Sequence, residues 1–224
     1  LSFKIQSNSL IGIVGKTGVG KTTLIKLLLR LYELQSGSIN IGKNNINDIT
    51  LKSLRENIAL VSQETFLFDG TILDNISYPN LNAKFEDTKS VSKLSQCDEF
   101  IDRFPLGYDT IIGERGQRLS VGQKQRISIA RAIIKDPSIL IFDEATSSVD
   151  NKTENLIQKS LKEISKNRTT IAIAHRLSTI RNADQILVLD NGKIIESGTH
   201  DQLVALEGDY KNLWDLQTGK LERS

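Results

Sequence analysis

An apolar run, Leu10-Ile11-Gly12-Ile13-Val14, leads directly into Gly15-Lys16-Thr17-Gly18-Val19-Gly20-Lys21-Thr22, and Thr23 to Leu31 follows with helical apolar spacing. The middle segment satisfies the pattern G-x-x-x-x-G-K-[ST] in the strand, loop and helix setting that gives the pattern its meaning. Few folds accommodate it. The glycines let the backbone curl until successive N–H groups converge, and a helix starting near Gly20 adds the positive end of its dipole. The loop therefore reads as a cradle for nucleotide phosphates, with contacts from Gly15, Lys16, Thr17, Gly18, Val19, Gly20, Lys21, Thr22 and Thr23. Lys21 supplies a point charge for the β- and γ-phosphates, and Thr22 offers a hydroxyl to Mg²⁺.

The rest of the chain agrees with an α/β fold. Strand-like runs recur at Ile58 to Val61, Ile139 to Phe142, Thr170 to Ala174 and Ile186 to Leu189, with helical patterns between most of them. Shorter strands at Ser38 to Ile41 and Lys193 to Glu196 predict some antiparallel pairing beside a mainly parallel core. From about Thr71 to Lys135 the pattern is helical with no convincing strand, which predicts a helical insertion at 71–135 between core segments 1–70 and 136–224 of a single domain. Thr199-His200-Asp201-Gln202 has the form of a capping box, so two short helices are expected to close the chain.

Charge and cysteine content exclude several functions. Lys plus Arg number 29 against 27 Asp plus Glu, a net charge of +2, so the basic footprint of a nucleic-acid binder is missing. No apolar run approaches the roughly 20 residues of a membrane-spanning helix. With the single cysteine Cys97 there is no intrachain disulfide and no zinc spacing, and no signal peptide opens the chain. The lack of any methionine and the start at Leu1 lead to the expectation that the sequence is a piece of something longer.

Two further segments extend the phosphate loop's chemistry. Ser138 to Glu144 is a buried-strand pattern ending in Asp143-Glu144. A carboxylate there stands at the C-terminal edge of the sheet, where Asp143 would reach Mg²⁺ and Glu144 can face an attacking water as general base or water-orienting group. Leu119-Ser120-Val121-Gly122-Gln123 opens a helix running to Lys135, with Ser120 and Gln123 spaced as a capping box. Its free N–H groups and dipole make a second phosphate site. Since the phosphate loop already serves one nucleotide, Ser120, Gly122 and Gln123 point to a nucleotide held by another subunit.

Taken in order, these motifs resemble the nucleotide-binding domain of an ATP-binding cassette transporter over essentially the whole chain. The order is phosphate loop, Gln63, signature at Leu119 to Gln123, Asp143-Glu144, Ser147-Ser148-Val149-Asp150, then His175. The resemblance implies a head-to-tail dimer, a homodimer given the complete motif set, with two ATP molecules between the phosphate loop of one copy and the signature of the other. It also implies a cytoplasmic position against the coupling helices of a membrane domain, with the N-terminal β part and that membrane domain lying outside this sequence. By position, Gln63 resembles the residue that senses Mg²⁺ and γ-phosphate, His175 the switch histidine, and Asp150 the aspartate linking the two sites. Ile111 to Gly116, with Glu114 and Arg115, and the Phe66 and Phe68 pair resemble exporter segments that meet coupling helices. A salt bridge between Glu114 and Arg115 is the plainer reading of that loop. Cys97 and His200 gain no such support and are read as structural.

The signature departs from the family at Val121, where glycine is commoner; valine takes positive φ only at a cost. The aromatic residue that stacks on adenine in this family belongs upstream of Leu1. The alternatives are a soluble cassette ATPase acting on DNA or the ribosome, and a cassette that binds ATP only to regulate. The exporter-like loop speaks against the first, and intact Lys21, Asp143, Glu144 and His175 against the second.

Overall fold

The strands of the computed structural model, which describes residues 1–144 and 150–220, are β1 (Leu10–Gly15), β2 (Asn40–Ile41), β3 (Asn44–Asn45), β4 (Ile58–Val61), β5 (Ile139–Asp143), β6 (Thr169–Ile173), β7 (Gln185–Asp190) and β8 (Lys193–Gly198). Six of them form one sheet in the order β4-β5-β6-β1-β7-β8. It is parallel except for β8, which turns back along β7. The antiparallel partner of β2 is β3, in a separate hairpin. This is the α/β architecture expected from the alternating runs. The hairpin partner at Asn44–Asn45 was not legible, because a two-residue strand carries no periodicity.

Both faces of the five parallel strands are covered, and for that reason they read as nearly continuous apolar runs, whereas edge strand β8 is exposed or half-buried throughout. Alternate residues enter two cores. Ile11, Ile13, Ile141, Ile171, Leu187 and Leu189 pack with Ile25 of α1 (Lys21–Leu28) and Leu54 of α2 (Leu51–Asn57). On the other face, Val14, Leu140, Phe142, Ile186 and Val188 join the larger core. That core contains α3 (Ile72–Ser77), α4 (Phe85–Leu94), α5 (Asp98–Ile101), α6 (Val121–Ile134), α7 (Asn151–Ile164), α8 (His200–Ala205) and α9 (Asp209–Thr218). Position 12 faces this side by strand alternation and is glycine, since a Cβ there would sit 2.8 Å from the Ile180 side chain.

Between β4 and β5 the chain is helical, and α3 and α4 pack on α6. α1 ends earlier than its apolar spacing suggested. Arg30 turns to a φ of 48°, and its guanidinium donates to the carbonyls of Ile46 at 2.9 Å and Ile49 at 2.7 Å. Capping boxes form at Ser120 and Thr199 as their spacing predicted. Among the described residues, no helix is long and apolar enough to cross a membrane.

Candidate nucleotide site

The phosphate loop leaves the C-terminal end of β1 and closes over Lys21. Gly15 is obligatory there: its φ is 153°, and a Cβ would collide with the Leu189 carbonyl on neighbouring β7. Gly20 begins α1 in the left-handed region, at φ 101°, with no side-chain cap, which leaves the amides of the first turn for an anion. Lys21 is only 8% exposed. Its ammonium donates to the carbonyls of Gly15 at 2.8 Å and Lys16 at 3.0 Å. Burial pulls its pKa below the ordinary lysine value, while the carboxylates of Glu144 and Asp143 act in the opposite direction. The ammonium is thus held against loop carbonyls, within electrostatic range of two carboxylates.

Sheet register brings the other site residues to the same edge. Ile13 pairs with Ile173, and Ile173 with Asp143, so Gly15 and His175 both lie two residues beyond one level across the sheet. Val61 pairs with Phe142, which sets Gln63 level with Glu144. Asp143 is the last residue of β5; burial and the neighbouring Glu144 raise its pKa, and Lys21 lowers it. Glu144 leaves the sheet at φ 50° with its N–H donating to Ile173 O at 3.0 Å. A non-glycine residue in that region costs about 1–3 kcal/mol and clusters at functional sites.

The donor types are compatible with Mg²⁺. Among the described residues, no group of three or more His, Cys, Asp or Glu side chains could hold a metal. What the edge offers instead is one hydroxyl (Thr22), one carboxylate (Asp143) and one carboxamide (Gln63), all oxygen donors. That is the sparse set Mg²⁺ takes when phosphates and water complete its octahedron.

Several partners of these residues were invisible in sequence. Gln125, 3% exposed on α6, accepts from Thr65 Oγ1 at 2.5 Å and donates to Ser62 O at 3.2 Å, gripping the loop that carries Gln63 from both sides. Behind His175, Glu154 of α7 accepts from Ser178 Oγ and pairs with Arg176. Gln217 of α9 bonds to the backbone of His175 and Leu177. On a helix, glutamine and glutamate read as solvated polar positions, so no local signal could have found them.

The signature lies apart from the phosphate loop. Ser120 Oγ accepts from Gln123 N at 3.2 Å, and Gln123 Oε1 accepts from Ser120 N at 2.9 Å. Val121 has ordinary helical geometry and is 56% exposed, so the strain that valine would suffer at positive φ does not arise. Gly122 is where α6 meets α7: a Cβ there would stand 2.6 Å from Thr153 Cγ2. Asp150 caps α7, accepting from Thr153 N at 2.9 Å and Thr153 Oγ1 at 3.0 Å, and these bonds lower its pKa. Ser147, Ser148 and Val149 lie outside the described residues. Among the described residues, neither the signature nor Asp150 makes a hydrogen bond to the loop around Lys21.

A groove of about 700 Å³ opens beside β4, lined in part by Leu29, Leu60, Phe66, Phe68, Tyr78 and Ala132. Phe66 and Phe68 pack edge to face at 5.4 Å, and Phe68 lies against Tyr78 at 4.5 Å. Glu114 and Arg115 form no ion pair with one another among the described residues; Arg115 O instead accepts from Lys124 Nζ at 2.9 Å. Cys97 is fully buried, its thiol pushed up to about 12 by burial. His200 is hydrogen-bonded to Tyr210. Both read as structural here as well.

The family described as "ABC transporter" matches residues 1–147. The chain is 51% identical over 217 residues to the uncharacterized ABC transporter ATP-binding protein YknU of Bacillus subtilis, covering 97% of this chain and 37% of that protein. It is 47% identical to the ATP-dependent lipid A-core flippase of Desulfotalea psychrophila, covering 97% of this chain and 38% of the flippase. It is 46% identical to the mitochondrial iron-sulfur clusters transporter ABCB7 of Homo sapiens, covering 99% and 30%. Among solved structures, a bacterial Atm1-family ABC exporter with ATP bound superposes with a TM-score of 0.92 at 42% identity, over 100% of this chain and 39% of the exporter. The chain therefore spans less than two fifths of each of these relatives.

Proposed function

The chain belongs to the ABC transporter family, and from that premise we propose that it is the cytoplasmic nucleotide-binding domain of an exporter, hydrolysing ATP within a head-to-tail dimer to drive a substrate across a membrane. The observation that carries this reading is the buried Lys21, enclosed by its loop and within electrostatic range of Asp143 and Glu144. Segments 1–70 and 136–224 form the catalytic core, and 71–135 is the helical arm that presents the signature.

The loop amides and Lys21 take the β- and γ-phosphates. Thr22, Asp143 and Gln63 are the residues that would hold Mg²⁺, which would supply positive charge to offset that of the phosphates. Glu144 orients a water in line with the γ-phosphate and accepts its proton, and His175 steadies that phosphate. Positioning and charge stabilisation of this kind make up nearly all of the catalysis in phosphoryl transfer. From the second copy, Ser120, Gly122 and Gln123 close on the same γ-phosphate, with Asp150 joining the two sites. Each nucleotide is then a link between copies, and its hydrolysis dissolves the link. The groove at Phe66 and Phe68, with Ile111 to Gly116 beside it, receives the coupling helices of the membrane domain. The near-balanced charge favours this partner over nucleic acid.

The test is Glu144→Gln in the intact protein. Hydrolysis is expected to fall by about 10²–10⁴-fold, while ATP and Mg²⁺ still drive a dimer detectable by light scattering. Unchanged turnover removes Glu144 from the role of base.

A further inference from the structure

His175 stands on an exposed segment just past β6, yet its backbone is fixed from a distant part of the chain. The Gln217 carboxamide donates from Nε2 to the His175 carbonyl at 2.6 Å and accepts at Oε1 from the Leu177 N–H at 2.8 Å. Those two groups belong to the peptide planes on either side of Arg176. One side chain therefore sets both planes and leaves the imidazole only its own rotamers.

The helix that presents Gln217 is itself well anchored. Glu196 of β8 caps α9 from outside, accepting from Asp209 N at 2.5 Å and Tyr210 N at 3.0 Å. Tyr210 is fully buried, with its hydroxyl 2.8 Å from His200 Nδ1, and Trp214 packs on the His200 ring at 4.4 Å. Tyr210, Leu213, Trp214 and Gln217 follow the i, i+3, i+4, i+7 spacing of one helix face. The first three meet the core. The fourth is polar, and it is the one that reaches the site.

We propose that Gln217 is a positioning residue for the hydrolytic site: through the backbone of His175 and Leu177 it sets where the imidazole stands at the γ-phosphate, which makes α9 part of the catalytic unit. The proposal rests on the reading of His175 given above. Glu154 holds the side chains of Arg176 and Ser178 from the other side, so loss of Gln217 shifts the histidine without releasing the whole segment.

Gln217→Met keeps the length of the side chain and removes both hydrogen bonds. In the intact protein, kcat for ATP is expected to fall about ten- to a hundredfold, with KM within about twofold. The melting temperature is expected to fall by only a few degrees, since two hydrogen bonds contribute about 1–3 kcal/mol and Gln217 itself lies on the exposed last turn. Gln217→Glu still accepts from Leu177 but has no proton for the His175 carbonyl at neutral pH, and the same loss is expected. Single-turnover hydrolysis of γ-labelled ATP resolves the residual rate of His175→Ala, and on that background Gln217→Met is expected to add nothing. Wild-type kcat in either Gln217 variant, or an equal loss on both backgrounds, overturns the proposal. Wild-type turnover by His175→Ala overturns the assignment of the histidine itself, and the two failures are thereby told apart.

Discussion

The Thr65 hydroxyl and the Gln125 carboxamide lie 2.5 Å apart across a sequence separation of 60 residues, tying the signature helix α6 to the loop that holds Gln63. With the Gln125 bond to Ser62 O, it joins the helix that carries Ser120 directly to the segment on either side of Gln63.

Replacing Gln125 with leucine removes two part-buried hydrogen bonds, to Thr65 Oγ1 and to the Ser62 carbonyl. A hydrogen bond contributes about 0.5–1.5 kcal/mol net, so losing two is expected to make Gln125→Leu less stable by about 2 kcal/mol in urea unfolding. The affinity for Mg-ATP is expected to fall with it. A double-mutant cycle with Thr65→Val should return a coupling of about 1 kcal/mol.

This bond also marks the limit of what the sequence made legible. Local grammar was readable. The glycines of the phosphate loop, the run ending at Asp143, and the capping boxes at Ser120 and Thr199 each declare themselves within a few residues, because a turn or cap is satisfied by its neighbours. Gln125, Glu154 and Gln217 act on segments reached only after the chain has folded back, and nothing beside them in sequence distinguishes them from solvated helix positions. The Asn44–Asn45 strand escaped notice for a different reason: it is too short to show a period.

Gly122 and Thr153 make a second testable pair. In α6 a glycine is a poor helix former, and its presence is explained by the 2.6 Å approach of Thr153 Cγ2 to any Cβ placed there. Gly122→Ala is expected to lose about 1–3 kcal/mol by overpacking despite its better helix propensity. Thr153→Ser removes that methyl while keeping the hydroxyl bonded to Asp150, and it is expected to restore part of the loss when the two substitutions are combined, as read by guanidinium unfolding.

His200 gives the fold a pH dependence. Burial first, and then Arg181, lower its pKa below the ordinary 6.5, and Asp201 opposes them. A proton therefore binds the unfolded chain more readily than the folded one. Its contribution is complete above 6.5 and is lost as pH falls through the lower folded value. Urea unfolding between about pH 7.5 and pH 5.5 is expected to show stability falling toward acid. His200→Phe, although weaker overall for want of the Tyr210 hydrogen bond, is expected to show a flatter slope over that range.

Arg131 braces the groove beside β4. Its guanidinium donates from Nε to Asn75 O at 2.8 Å, from one terminal nitrogen to Phe66 O at 2.8 Å and from the other to Asn75 Oδ1 at 2.6 Å, and it lies 5.1 Å from the Phe68 ring centroid. Asn75 in turn accepts from Phe68 N at 2.9 Å and donates to Phe68 O at 3.0 Å. The backbone that presents both aromatic rings is thus held by one planar fork. Lysine keeps the charge but cannot span three acceptors in fixed directions. Arg131→Lys is expected to cost about 1.5–3 kcal/mol, the range for hydrogen bonds to a charged group. Because the groove lies away from Lys21, the variant should bind ATP normally while losing stimulation of its ATPase by transported substrate. Normal stimulation in a variant destabilised to that extent removes the groove from the path between hydrolysis and transport.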